Sequence, residues 1–357
     1  MIQEEIKKYS LWYAQKKPVY KLLSEKIKET ITGAMDVEKI NYLSIQAREK
    51  SIENFEDKLK KEINFKPEEM QDLAGIRIIC NINSDVDKTI KLIKELFEID
   101  EERSTDKSKL LGDDKLGYKS VHFVAKLPKN RAQLKENENF KDLYFEIQIR
   151  TILQHAWAEM SHQKNYKFSG VLPAEIRRRF NLLAGHLEVA DNEFNSISKS
   201  IEDYSEEVSR KTKSGNLDIP LDSVSLRGYL NEKFKDYLGV YLLPRFGSKD
   251  EDSENVITDL KIMGVETLED INNLIPSWIK DYIEVQGNDC TTNYTDLIRD
   301  VLISRFKEDY LKESQLFKSA NKRGGLRLGK NENLLFKSHG IDFIELIGQF
   351  GVNIILK

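Results

Sequence analysis

The clearest pattern in the chain is an alternation of apolar and polar residues at 145–150, followed by a helical spacing. The two faces of this segment are Phe145, Ile147 and Ile149 on one side and Glu146, Gln148 and Arg150 on the other. A period of two predicts a half-buried strand, and an isolated strand of this kind is usually an edge strand with a solvated polar face. After Thr151 three residues share one face of a predicted helix: His155, Glu159 and His162.

Hydrophobic spacing predicts further elements before this segment. Helices are expected over residues 2–31 with a break at Pro18, over about 36–63, and over 84–97. Strands are expected at 76–82, near 97–103 and over 119–127. A long polar loop precedes the last of these strands and is long enough to be a functional flap. The first part of the chain is therefore predicted to alternate helices and strands.

The longest predicted helix covers residues 173–210. Its apolar positions recur at steps of four and three: Ile176, Phe180, Leu183, Leu187, Ala190, Phe194, Ile197, Ile201, Tyr204 and Val208. Such a stripe is typical of a coiled-coil seam and must be buried against something. It could pack within its own domain, on the C-terminal half, or against a second copy in a homo-oligomer.

The segment at 211–220 has the composition of a linker and predicts two domains, 1–214 and 215–357. Helices are expected in the second domain around 222–240, 254–264, 266–285 and 294–318. Thr267 and Asp270 have the spacing of a capping box at the start of one of them. This half carries no recognisable catalytic constellation, and we expect a mainly α-helical domain of regulatory role.

Composition limits the class of protein but does not identify it. The 357 residues are 39% hydrophobic and 32% charged, with a formal net charge of -4, so the overall charge gives no argument for nucleic-acid binding. Residues 1–28 nevertheless carry seven lysines against three glutamates. Cys80 and Cys290 lie far apart and form no CxxC motif, which suits a reducing cytosol. The sequence lacks an apolar run of the ~20 residues that span a bilayer, so we expect a cytoplasmic protein without membrane contact.

Polar residues around the predicted strands indicate chemistry on phosphates. Two carboxylates occupy strand positions, Asp72 and Glu146, and the cations nearby are Arg48, Lys50, Lys58 and Arg77. Carboxylates can hold Mg²⁺ against phosphates, while arginine and lysine spread the negative charge of a phosphoryl-transfer transition state. The sequence contains no Walker A loop and no Rossmann glycine motif, so side chains would have to hold the phosphates.

Five segments in this order resemble the synthetase domain of the RelA/SpoT family, the alarmone (p)ppGpp synthetases. They are REKSIENFEDKL, DLAGIRI, GYKSVHF, EIQIRT and HQKNYK, between about Arg48 and Lys167. The resemblance implies an α+β fold, with a mixed β-sheet flanked by helices and related to nucleotidyltransferases. It also implies GTP diphosphokinase activity, which moves the β,γ-pyrophosphate of ATP to the ribose 3′-hydroxyl of GDP or GTP. None of the five histidines is followed by Asp, so the hydrolase half of the bifunctional relatives is not expected.

The resemblance also implies roles for individual residues. Asp72 would bind Mg²⁺, and Glu146 would be the second metal ligand or the general base. Arg48 and Arg77 would stack on the adenine, and Lys50 and Lys58 would meet the ATP phosphates. The acceptor pocket would contain Tyr118, Lys119, His122, Gln148, Arg150 and His155.

Beside an alarmone synthetase, the sequence leaves two other functions open. Asn54 and the segment 156–159 differ from the small synthetases, which leaves the identity of the acceptor open. A relative that pyrophosphorylates the 3′ end of tRNA, controlled by its C-terminal domain, would suit the basic N-terminal helix and the run 177–179. A nucleotide-sensing module without activity is a third interpretation, and the presence of both Asp72 and Glu146 argues against it.

Overall fold

The computed structural model describes residues 2–61, 70–106, 120–167, 173–246, 251–289, 292–314, 326–328, 330–350 and 354–356. Contacts between Cα atoms divide the chain into two compact units, Met1–Ser198 and Lys199–Lys357. This division lies inside a long helix and not at 214/215, because Val208, near the end of that helix, is buried in the hydrophobic core of the second unit. The role predicted for the C-terminal domain stays a prediction.

The first unit is built on a mixed β-sheet. Its strands are β1 (Tyr42–Glu49), β2 (Ala74–Cys80), β3 (Glu98–Asp106), β4 (Val121–Lys126) and β5 (Phe145–Thr151). Its helices are α1 (Ile2–Val37), α2 (Ile52–Lys61), α3 (Asn83–Leu96), α4 (Lys129–Ala132) and α5 (Ile152–Lys167), with a 3-10 helix at Lys135–Phe140. The strand order is β1-β2-β5-β4-β3, with β2 and β5 parallel and the other neighbours antiparallel.

The strand predicted at 145–150 lies in the middle of this sheet. Its apolar residues Phe145, Ile147 and Ile149 are completely buried in the core that α1 and α3 help to form. Burial of such a side chain stabilises the fold by roughly 1.5–3 kcal/mol. The expected mixed sheet flanked by helices is confirmed, whereas an edge position for this strand is wrong, because β2 and β4 pair with its two sides.

Two helix predictions in the first unit need correction. The run predicted as one helix over 36–63 contains strand β1, which hydrogen-bonds along its length to β2 before α2 begins. Helix-forming residues such as Gln46 and Arg48 are drawn into the strand by this long-range pairing, because tertiary contacts override intrinsic propensity. Helix α1 continues through Pro18, whose exposed position leaves the carbonyl one turn earlier accessible to water.

The long helix predicted over 173–210 is present as α6 (Ala174–Lys213). Much of its apolar stripe is exposed, including Ile176, Leu183, Phe194, Ile197 and Ile201. Exposed apolar stripes of this kind are typical of interaction surfaces. Self-association through this helix stays a prediction, which sedimentation equilibrium would test.

The second unit is mainly helical. Its helices are α7 (Ser223–Lys233), α8 (Glu251–Ile262), α9 (Leu268–Leu274), α10 (Ile279–Asp289), α11 (Tyr294–Phe306), α12 (Glu308–Glu313), α13 (Lys330–Ser338) and α14 (Phe343–Gly348). Short parallel pairs join β6 (Leu242–Leu243) to β7 (Thr292–Asn293) and β8 (Leu326–Leu328) to β9 (Ile354–Leu356). The capping box predicted at Thr267 and Asp270 is confirmed at the start of α9. Among the described helices of both units, none is long and apolar enough to cross a membrane.

Candidate functional site

The register of the sheet gathers polar residues from four strands on one face. Arg48, Gly75 and Glu146 lie side by side on β1, β2 and β5. Two residues further along the strands, Arg77 on β2, Gln148 on β5 and His122 on β4 form a second row. Because residues opposite one another in neighbouring strands point to the same face, this row lies opposite the buried apolar residues.

Asp72 precedes β2 and is held by two lysines. Lys50 Nζ lies 2.5 Å from Asp72 Oδ2, and Lys58 Nζ lies 3.3 Å from Asp72 Oδ1. The Tyr13 hydroxyl of α1 donates a 2.7 Å hydrogen bond to the carbonyl of Lys50, which fixes the segment that carries this lysine. Burial would raise the pKa of Asp72, but the hydrogen bonds and charges of the two lysines outweigh it and hold the pKa below its ordinary value.

Glu146 is held by its neighbours on the sheet. Its Oε1 lies 3.0 Å from Nδ1 of His122, and its Oε2 accepts a 2.9 Å hydrogen bond from Gln148 Nε2. The other ring nitrogen of His122 lies 3.0 Å from the hydroxyl of Ser120. Burial would raise the pKa of Glu146, but the interactions with His122 and Gln148 keep it below its ordinary value. Glu146 is therefore an ionised carboxylate at neutral pH, with oxygens oriented by fixed partners.

Three guanidinium groups lie close together on the same face. A Cβ added at Gly75 would lie 3.3 Å from both Cγ and Nε of Arg48, so the missing side chain lets Arg48 lie across β2. Burial and the charges of Arg77 and Arg48 lower the pKa of Arg150 to about 10, so this arginine stays protonated at neutral pH. Such a concentration of positive charge favours an anionic ligand or an aromatic ring.

Helix α5 brings two more side chains to this cluster. Thr151 begins the helix: its hydroxyl accepts from the backbone N–H of Gln154, whose side chain accepts from the N–H of Thr151. One and two turns later come His155 and Glu159, and Glu159 Oε1 accepts a 3.0 Å hydrogen bond from Arg77. Burial and the charge of Arg77 lower the pKa of His155, which favours a neutral imidazole.

The structure brings together ten of the residues predicted for the site: Arg48, Lys50, Lys58, Asp72, Arg77, His122, Glu146, Gln148, Arg150 and His155. Tyr118 and Lys119 lie outside the described residues. Two members of the site had no predicted role, Gly75 and Glu159. Only the spacing of Glu159 four residues after His155 hinted that it shares a face with the site.

The two carboxylates suit a hard divalent cation. Asp72 and Glu146 interact electrostatically, and the negative charge of Asp72 acts to raise the pKa of Glu146. Within the described ranges, no three His, Cys, Asp or Glu side chains are grouped closely enough to hold a metal ion by themselves. Mg²⁺ is commonly bound by one or two carboxylates together with substrate phosphates and water. Asp72 and Glu146 fit that donor set.

The contribution of Asp72 to stability should depend on pH. Because the native pKa is depressed, the ionised carboxylate stabilises the fold above its ordinary pKa, and this stabilisation is lost as the pH falls through the native value. We expect Asp72→Asn to lower the melting temperature at pH 7 and to lower it less below about pH 4. Asp57→Asn, which removes an exposed pair with Lys60, is the control. An equal difference at both pH values would contradict the assignment.

The site combines two carboxylates of lowered pKa with clustered cations, an arrangement that suits phosphate-bearing ligands. Glu146 on β5 and Asp72 just before β2 lie with clustered arginine and lysine at one face of a mixed sheet, and helix α5 contributes Glu159 to this cluster. Residues 47–171 match the family described as "Region found in RelA / SpoT proteins", so this part of the chain is a RelA/SpoT region.

The chain is also similar to two proteins of Bacillus subtilis (strain 168). It is 32% identical to the GTP pyrophosphokinase YjbM over 148 residues, which are 41% of this chain and 66% of YjbM. It is 28% identical to the GTP pyrophosphokinase YwaC over 167 residues, which are 44% of this chain and 74% of YwaC. The crystal structure of small alarmone synthetase 1 from Bacillus subtilis is 25% identical, with a TM-score of 0.45 over 54% of this chain and 98% of that chain. The chain is larger than the matched region and extends beyond it on the C-terminal side.

Proposed function

We propose that this chain is an ATP-dependent pyrophosphokinase that transfers the β,γ-pyrophosphate of ATP to the ribose 3′-hydroxyl of GDP or GTP. The product would be the alarmone (p)ppGpp, and the chain would synthesise without hydrolysing. The observation that carries the proposal is Glu146, an ionised carboxylate with both oxygens fixed, on the same sheet face as the arginine cluster. The similarity to two GTP pyrophosphokinases supports it.

In the proposed reaction, Glu146 accepts the proton of the 3′-hydroxyl. The oxygen of this hydroxyl attacks the β-phosphorus of ATP, the bond from that phosphorus to the α–β bridging oxygen breaks, and AMP leaves. Lys50 and Lys58 lie where they can exchange their contact with Asp72 for the phosphates, and their charges stabilise the transition state. Mg²⁺ bound by Asp72 and Glu146 would neutralise charge on the phosphates.

Arginine side chains would bind the nucleotide bases. The Arg48 side chain passes over Gly75, and Arg77 follows two residues later on the same face of β2. The two guanidinium groups would bind the adenine by cation–π stacking. Gln148, Arg150 and His155 would form the polar wall on the acceptor side together with His122. Tyr118 and Lys119, outside the described residues, are predicted to complete it.

The decisive experiment is a transfer assay with ATP labelled in the γ-phosphate. GDP, GTP, ATP and deacylated tRNA are offered in parallel, with Mg²⁺ present and with Mg²⁺ chelated. We expect labelled ppGpp or pppGpp from GDP or GTP, and no product after chelation. Label that appears on none of the acceptors would reject the enzyme and favour a nucleotide-binding module.

A second candidate function is pyrophosphorylation of the 3′ end of tRNA. It is favoured by three exposed arginines at the start of α6, Arg177, Arg178 and Arg179, and by the lysine-rich surface of α1. Clustered cations bind a phosphate backbone, and such binding weakens steeply with salt. Label that appears only on tRNA in the same assay would replace the alarmone proposal with this one.

A further inference from the structure

We propose that Glu159 is a positioning residue that fixes the guanidinium of Arg77 for nucleotide binding. This inference rests on the proposed function, which places Arg77 against ATP. Glu159 lies on α5 and Arg77 on β2, and their hydrogen bond of 3.0 Å joins residues that are 82 positions apart in the chain. Neither the sequence motifs nor their predicted roles include this carboxylate.

Arg77 needs such a partner because its surroundings are unfavourable for a cation. Burial lowers the pKa of Arg77, and the charge of Arg48 lowers it further, while Glu159 acts in the opposite direction. The Arg77 side chain is only 16% exposed, and its buried Nε finds no hydrogen-bond partner among the described residues. The hydrogen bond from a terminal nitrogen of Arg77 to Glu159 therefore offsets the repulsion between Arg77 and Arg48, and it fixes the orientation of the Arg77 guanidinium plane.

Glu159 can perform this role because the helix that carries it is firmly anchored. The hydroxyl of Thr151, at the start of α5, donates a 2.6 Å hydrogen bond to Asp191 of α6, and both residues are buried. His155, one turn before Glu159, lies 3.8 Å from the same carboxylate oxygen. A carboxylate presented by an anchored helix holds its partner more exactly than one on a loop.

The test compares variants that differ in one property of this carboxylate. Glu159→Gln removes the charge and keeps the size, and Glu159→Asp keeps the charge but shortens the reach. The loss of a charged hydrogen bond predicts a dissociation constant for a non-hydrolysable ATP analogue that rises about tenfold in both variants. The KM for ATP should rise in parallel. The kcat at saturating ATP should change less than about threefold, because the lost interaction stabilises bound ATP and the transition state equally.

Glu98→Gln is a closely matched control. Glu98 lies 3.0 Å from Lys126, and its side chain is 46% exposed, against 45% for Glu159. It lies on β3, the strand at the other edge of the sheet from β1. Its replacement should leave binding of the ATP analogue unchanged, so an equal effect of both variants would overturn the inference.

A double-mutant cycle then shows whether Glu159 acts through Arg77. If it does, Glu159→Gln should have no further effect on analogue binding in an Arg77→Ala background. An equal loss in both backgrounds, an unchanged dissociation constant, or a fall in kcat at unchanged KM would each overturn the proposal. If the wild-type chain fails to bind the analogue, the proposed function itself fails. If the wild type binds and Glu159→Gln binds equally well, only the positioning role is lost.

Discussion

Replacing Glu146 with Gln should lower the rate of pyrophosphate transfer by about 10³-fold while leaving the fold intact, since general-base catalysis contributes about 10²–10⁴. An amide cannot accept the proton of the 3′-hydroxyl, and it binds a metal ion more weakly than a carboxylate. The fold should survive because the amide has the same size and can still accept from Gln148 while its NH₂ group faces His122. No replacement elsewhere in the site removes proton acceptance and a metal ligand together.

The measurement is kcat with γ-labelled ATP and the preferred acceptor, together with the melting temperature of each variant. Glu101→Gln is a suitable control, because Glu101 pairs with Lys94 on the surface and its side chain is 70% exposed. A rate within about tenfold of wild type would exclude Glu146 as the general base. A loss of rate together with a lower melting temperature would point to a structural role instead.

Replacing the preceding residue, Phe145, with Ala should have the largest effect on stability. The ring is completely buried and packs edge-on against Phe97, with ring centroids 5.2 Å apart. Truncation of a buried phenylalanine typically costs about 3–5 kcal/mol, through lost burial and the cavity that remains. The chain has two units, so a signal from the whole chain would mix their unfolding. The free energy of unfolding in urea is therefore best measured by hydrogen exchange in peptides of β4 and β5, which belong to the first unit.

Leu43→Ala on β1 provides the comparison for Phe145→Ala. Both changes remove an apolar strand side chain, but Leu43 is 59% exposed, so its loss should change the free energy of unfolding by less than about 0.5 kcal/mol. Similar costs at the two positions would show that the core of the first unit does not depend on the centre of the sheet.

The sequence predicted the elements whose pattern is local. The alternation at 145–150 and the four-three spacing over 173–210 correspond to β5 and α6, because each pattern reports which side of its own element is buried. The strand at 42–49 could not be found in the same way. Its residues have helical propensity, and it is a strand because it pairs with β2, about 30 residues away.

The same distinction applies to the site. Motif resemblance predicted Asp72, Glu146 and the cations around them as site residues, but the partners that hold these groups come from distant parts of the chain. Tyr13 on α1 fixes Lys50, and Glu159 on α5 fixes Arg77. Such contacts depend on how helices lie on the sheet, and no spacing within one segment reveals them.

The central strand β5 contributes both to the core and to the proposed active site. Along β5, core residues and predicted site residues alternate. A shift in register that moves Phe145, Ile147 and Ile149 therefore moves Glu146 and its neighbours as well. A deletion or insertion of one residue inside β5 would move the residues on one side of the change to the opposite face, so that polar site residues would point into the core and core residues out of it. A point substitution on one face changes either the core or the site, whereas a change of length in this strand alters both together. We therefore expect natural and engineered length variation in this protein to be confined to its loops and to the C-terminal unit.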